Sequence, residues 1–152
     1  ERLEATPGSY AIVQREWQEG DSVHLSLPMT IELLRANPRI EEDRASAALR
    51  RGPVVYCLEQ VDLAEGSLLD IYMPEDTSRL RAKHMPALLG GVVAIEGNAL
   101  LDTVPRESQP LYVPVSRYIP PRHREVRVRW VPYYAWANRG AGAMKVWLPI
   151  TR

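Results

Sequence analysis

Two runs of strict alternation near the C-terminus constrain this chain more than any other feature. Val126, Val128 and Trp130 alternate with Glu125, Arg127 and Arg129, and Met144, Val146 and Leu148 alternate with Lys145 and Trp147. A period of two places one set of side chains on each face of a sheet. Between the runs stand Pro132-Tyr133-Tyr134-Ala135-Trp136 and then Asn138-Arg139-Gly140-Ala141-Gly142. The second group tolerates positive φ, which a tight reversal needs. The expectation is an antiparallel pair at the end of the chain, with an aromatic cluster at its bend.

The rest of the sequence reads in the same way. Thirteen prolines are scattered along the chain and punctuate short segments. Ser9 to Trp17 and the alternation Val23, Leu25, Leu27, Met29 predict a hairpin around Gln18-Glu19-Gly20-Asp21. Further strands are expected over Val54 to Val61, Leu68 to Met73 and Leu88 to Gly97. Glu75 to Met85 reads as exposed loop and Asn98 to Gln109 as polar connection. Leu111 to Val115, limited by Pro114, reads as an edge or a loop lying against the core. Ile40 to Arg51 fits two templates. Acids first and bases last favour a helix, while Ala45, Ala47 and Leu49 alternate as in a strand. Seven or eight short strands point to an all-β, antiparallel β-sandwich, jelly-roll-like, with little helix.

Composition narrows the function. Nineteen Lys and Arg balance nineteen Asp and Glu, which argues against nucleic acid or a membrane surface as a partner. No apolar run approaches the ~20 residues of a membrane span. One cysteine, Cys57, rules out an internal disulfide and a multi-cysteine metal site, and its apolar setting predicts burial. With no signal peptide visible, a cytoplasmic location is expected; the chain begins at Glu1 rather than Met, which leaves truncation from a longer chain open. His24, His84 and His123 show no metal-ligand spacing. Glu16, Glu32, Glu59 and Glu96 read equally well as solubilising residues. Trp130, Tyr133, Tyr134, Trp136 and Trp147 lie close together, and with no Phe in the chain these rings either fill the core or form a platform for a sugar.

Three segments carry a resemblance. Arg51-Gly52-Pro53-Val54-Val55-Tyr56-Cys57-Leu58-Glu59, Leu88-Leu89-Gly90-Gly91-Val92 and Val131-Pro132-Tyr133-Tyr134-Ala135-Trp136-Ala137-Asn138-Arg139-Gly140 resemble the C-terminal part of glycoside hydrolase family 127. Tyr10 to Met29, with Arg35 to Arg39, is similar to the β-domain that precedes it. That family comprises bacterial β-L-arabinofuranosidases and relatives, with an (α/α)6 catalytic barrel followed by two β-sandwich domains. The resemblance implies residues 1–58 as the end of the middle sandwich and 59–152 as the C-terminal one, with strand at Ala45 to Leu49. It implies a non-catalytic portion that braces the barrel of the same parent chain and helps form a homo-oligomer. The family's cysteine nucleophile, acid/base glutamate and zinc belong to the barrel. No position here matches them, so no catalytic, cofactor or metal residue is assigned to this chain. Tyr133, Tyr134, Trp136, Asn138 and Arg139 remain candidates for a sugar or interdomain contact.

Overall fold

The computed structural model describes residues 2–105 and 109–151. Among the described residues nine strands form one curled antiparallel sheet, six of them in the order β1-β2-β3-β7-β6-β4 and β5, β8 and β9 pairing off that path. They are β1 (Ile31–Leu34), β2 (Ser46–Arg51), β3 (Val54–Glu59), β4 (Ile71–Tyr72), β5 (Arg81–Met85), β6 (Val92–Asp102), β7 (His123–Pro132), β8 (Met144–Lys145) and β9 (Trp147–Pro149). Helix is confined to four short 3-10 turns among the described residues. The all-β, antiparallel expectation is met. The sheet curls as a half-barrel around one cluster of inward side chains.

The β6–β7 ladder is the spine. It pairs Ile95 with Trp130 and runs to Asp102 opposite His123. Alternation then decides which side chains turn inward: Ile95, Ala99 and Leu101 from β6 meet Val126, Val128 and Trp130 from β7. Trp130 is fully buried. Tyr56 enters from β3, and its hydroxyl donates to the Val93 carbonyl at 2.8 Å, so its polar tip is satisfied inside the curl.

The other half of the curl depends on a splay. β2 and β3 are joined by the two-residue turn Gly52-Pro53, with Gly52 at positive φ as such a hairpin needs. They pair only at the turn end, from Arg51–Val54 to Leu49–Tyr56. Beyond that they part, and Met144 to Pro149 fills the gap. β8 pairs with β3, and β9 with β2. A bridge between Met73 and Ile150, together with the Met73 N–H donating to the Pro149 carbonyl at 2.7 Å, brings the β4 end round to β9.

Several expectations are corrected. The last strands do not pair with β7, because β3 and β6 already occupy its two edges. The predicted hairpin over residues 9–29 is absent. Those residues form no strand, and Tyr10, Ile12, Val23, Leu25 and Leu27 are exposed. Periodicity records a capacity to pair, and within the described residues this segment meets no partner strand before Ile31. Arg81–Met85, expected as loop, is an edge strand on β6. Asn98 to Asp102, expected as connection, continues β6. Leu68 to Asp70 is a 3-10 turn, with strand only at Ile71–Tyr72. Leu111 to Val115 does not lie against the core; Leu111, Tyr112 and Val115 face solvent.

Trp130→Ala should cost about 3–5 kcal/mol of stability, the range for truncating a buried large aromatic. Urea unfolding followed by circular dichroism checks this, and a loss below about 1 kcal/mol would contradict the core described.

Candidate functional site

β7 ends at Pro132, and the chain leaves the sheet as a 3-10 turn over Tyr133–Ala135. The turn points Ala135 inward and leaves Tyr133, Tyr134 and Trp136 exposed, Tyr134 at 72%. Tyr133 and Trp136 lie near parallel, with ring centroids 6.4 Å apart and planes 23° from each other. Asn138 Nδ2 donates to the carbonyls of Ala135 and Trp136 at 3.1 and 3.2 Å and so fastens the bend from below. Ala137 has φ 63°, a left-handed conformation that costs a non-glycine residue roughly 1–2 kcal/mol. Its N–H donates to Glu59 Oε1 at 3.1 Å, an interaction that helps hold the bend in place.

That carboxylate belongs to a buried ion cluster. Arg139 donates through Nη1 to Asp62 Oδ1 at 2.7 Å, through Nη2 to Asp62 Oδ2 at 2.5 Å, and through Nη2 to Glu59. The side chains of Asp62 and Glu59 are 2% and 8% exposed. The fork geometry of guanidinium matches a carboxylate bidentately. Hydrogen bonding to Asp62 pushes the Arg139 pKa further up, against the desolvation of the guanidinium. The cluster ties the end of β3 to the bend that follows β7.

Two small hollows flank this region. One, of about 240 Å³, is lined by Glu59, Gln60, Arg139 and Gly140 to Gly142. The other, of about 280 Å³, lies over Val61, Asp62, Glu96, Arg127 and Arg129. Both fall short of the ~300–1,000 Å³ typical of enclosed ligand sites. Above the second, Glu96 accepts from Arg129 Nη2 at 3.1 Å and lies near Lys83 and Arg127. Desolvation works against its charged form, but Arg129, Lys83 and Arg127 outweigh it and hold the carboxyl below its usual range.

Comparison with known proteins decides the family. Residues 31–149 match the family model described as the glycoside hydrolase family 127 C-terminal domain. The chain belongs to glycoside hydrolase family 127. It is 37% identical over 132 residues to the non-reducing end β-L-arabinofuranosidase of Bifidobacterium longum subsp. longum, covering 84% of this chain and 20% of that protein. Its fold is similar to the family 127 β-L-arabinofuranosidase Ara127N of Geobacillus stearothermophilus T6, with TM-score 0.70 and 41% identity over 82% of this chain and 19% of that one. It also resembles the family 127 β-arabinofuranosidase BT3674, with TM-score 0.65 and 31% identity over 81% of this chain and 17% of that one. The chain therefore spans about one fifth of the length of these relatives.

The remaining titratable groups singled out in the sequence lie as follows. Cys57 is wholly buried in β3, and its thiol donates to the Val131 carbonyl at 3.7 Å. Desolvation, then the fields of Glu59 and Asp62, push the thiol up to about 12, so it is not a thiolate near neutral pH. Among the described residues no group of three or more His, Cys, Asp and Glu could hold a metal ion. His24 is exposed, and His123 packs its ring on Tyr72, with centroids 4.5 Å apart.

The predicted aromatic cluster divides in two. Trp130 fills the core and Trp147 is half-buried in β9, while Tyr133, Tyr134 and Trp136 form the exposed corner with Asn138 and Arg139 beneath. Glu59, read as a solubilising residue, is buried. Asp62, which lies beyond the strand expected to end at Val61, is the second carboxylate of the cluster. No local signal marks either, because Arg139 lies 80 and 77 residues away.

Arg139→Ala would leave two carboxylates buried without their cation and should cost about 3–5 kcal/mol. Urea unfolding measures the loss, and Arg139→Lys should recover only part of it because an ammonium cannot reproduce the fork. Glu96 supplies a pH test. Its native pKa is depressed, so its contribution is complete above the ordinary carboxyl value of about 4.3 and is lost as pH falls through the lowered native value. Stability of Glu96→Gln should therefore fall less steeply in that acid window than stability of the parent chain.

Proposed function

We propose that this chain is the non-catalytic C-terminal portion of a glycoside hydrolase resembling β-L-arabinofuranosidase. It braces a zinc-bearing catalytic portion of the same longer protein and takes part in self-association. The observation that carries this reading is the aromatic corner. Tyr133, Tyr134 and Trp136 stand exposed, yet the loop bearing them is fixed by buried ions. A rigid, exposed aromatic patch is what a docking surface requires, since little entropy remains to be lost on contact. The inert Cys57 and the two small hollows support a role apart from bond breaking.

A second reading, a carbohydrate-binding module, draws on the near-parallel Tyr133 and Trp136 rings, whose faces suit the apolar side of a sugar. One pair of measurements separates these readings. The chain mixed with an aryl β-L-arabinofuranoside should release no aglycone, and sustained turnover would overturn the non-catalytic assignment. Calorimetry with arabinose-containing oligosaccharides should give no saturable heat under the bracing reading. Saturable heat abolished by Trp136→Ala, with unfolding unchanged, would establish the module instead.

A further inference from the structure

Alternation gives the sheet a second face. With Val126, Val128 and Trp130 turned into the core, Arg127 and Arg129 of β7 turn outward. With Ile95 and Ala99 turned in, Glu96 and Asn98 of β6 turn outward beside them. The registers bring these residues together. Glu96 stands opposite Arg129 on one side and Arg81 of β5 on the other, and Asn98 stands opposite Arg127. Lys83 follows Arg81 on the same face of β5, and Arg79, just before that strand, reaches Glu125 of β7 at 3.3 Å. Strand spacings of ~4.8 Å and steps of ~6.6 Å between same-face residues keep these groups within one patch.

The patch is one-sided in charge. Arg79, Arg81, Lys83, Arg127 and Arg129 stand against Glu96 and Glu125. Asp102, at the end of β6, is buried and accepts from the Val104 and Arg122 N–H groups. Asp62, which lines the hollow beside this face, is taken up by Arg139. Glu96 is thus the shared counter-ion of Arg129 at 3.1 Å, Arg127 at 3.6 Å and Lys83 at 4.0 Å. A single carboxylate leaves most of that charge unbalanced. Arg127 and Lys83 keep 79% and 64% of their side chains in water, where a ligand can reach them.

What the patch lacks narrows its ligand. Among the described residues, none of the exposed large hydrophobic side chains lies on β5, β6 or β7. The centre of a protein interface gathers apolar and aromatic anchors and is depleted of lysine and glutamate. This face has the opposite make-up. A hydrophilic polyanion needs no apolar anchor, and the zero net charge of the chain disfavours nucleic acid. Glu96 shows the anionic group these cations accept: a carboxylate, received by Nε and Nη2 of Arg129. Membership of a glycoside hydrolase family makes a glycan the fitting polymer.

We propose that the outer face of β5, β6 and β7 binds a glycan bearing carboxylates, with Lys83, Arg127 and Arg129 as its cationic contacts. The assignment goes beyond the accessory reading and does not use the aromatic corner. Glu96 competes with the ligand for the same three cations and keeps them together while the face is empty.

Calorimetry of the 152-residue chain at low ionic strength tests this, with a galacturonate oligomer as the probe. The expected result is saturable binding that is lost when the probe is methyl-esterified and that weakens steeply as salt is raised. A single-stranded DNA of matched charge should bind at least about tenfold more weakly than the galacturonate. Lys83→Gln/Arg127→Gln should raise the dissociation constant about tenfold or more, with circular dichroism and urea midpoint unmoved because both side chains are exposed. Arg35→Gln/Arg39→Gln removes the same charge from another exposed stretch and should leave binding intact. Glu96→Gln should tighten it severalfold by freeing the three cations. Absence of saturable heat, equal binding of the esterified probe or of DNA, indifference to Lys83 and Arg127, equal loss with Arg35 and Arg39, or weaker binding by Glu96→Gln would each overturn the proposal. Each of these leaves the accessory reading standing, since that reading is judged by hydrolysis and by titration with neutral arabinose-containing oligosaccharides.

Discussion

Two carboxylates and one guanidinium, nearly withdrawn from water, fix where the chain goes after β7. Arg139 closes on Asp62 and Glu59 from a loop that would otherwise hang from the end of β7. Burying ions is expensive, and a buried pair is weak evidence for net stability by itself. What the cluster contributes is position. Glu59 is the last residue of β3, and its other oxygen accepts from Ala137 at the top of the bend. The same strand end receives β8, with Glu59 opposite Met144. One set of charges therefore locates the corner and the start of the segment that fills the splay between β2 and β3.

This arrangement explains how a sheet with so little helix can present a rigid aromatic surface. The strands bury their inward residues around Trp130, Tyr56 and Leu49, and Pro132 interrupts the ladder where β7 would run on. The tyrosines that follow cannot return to the core, because Trp130 and Val131 already fill that end of β7. They emerge as a patch, and the ions beneath keep it from collapsing.

Parts of this were legible in the sequence for definite reasons. Burial of Cys57 and Trp130 follows from apolar neighbours and strict alternation, both local properties. The strand at Ser46–Arg51 was not locally decidable, since acids before bases favour a helix there; pairing with β1 on one edge and with β3 and β9 on the other overrides that preference. The resemblance to the family supplied the answer that propensity could not. The strand at Arg81–Met85 was missed because an edge strand facing solvent carries charge, as Arg81 and Lys83 do, and so reads as loop. Asp62 was missed because its role is defined by a partner distant in sequence. Val23 to Met29 shows the converse: alternation was real, but nothing within the described chain pairs with it.

The way the curl closes also decides which backbone edges are left open. The Met73–Ile150 bridge removes one would-be edge, leaving β1 and β5 at the margins. β5 points Arg81 and Lys83 outward along an exposed strand. β1 is only four residues long, and its Glu32 is bound by Arg50 of β2 at 2.6 Å. Charge and shortness are the two usual defences against strand addition, and each margin has one. Neither margin is therefore a ready template for strand addition by another chain.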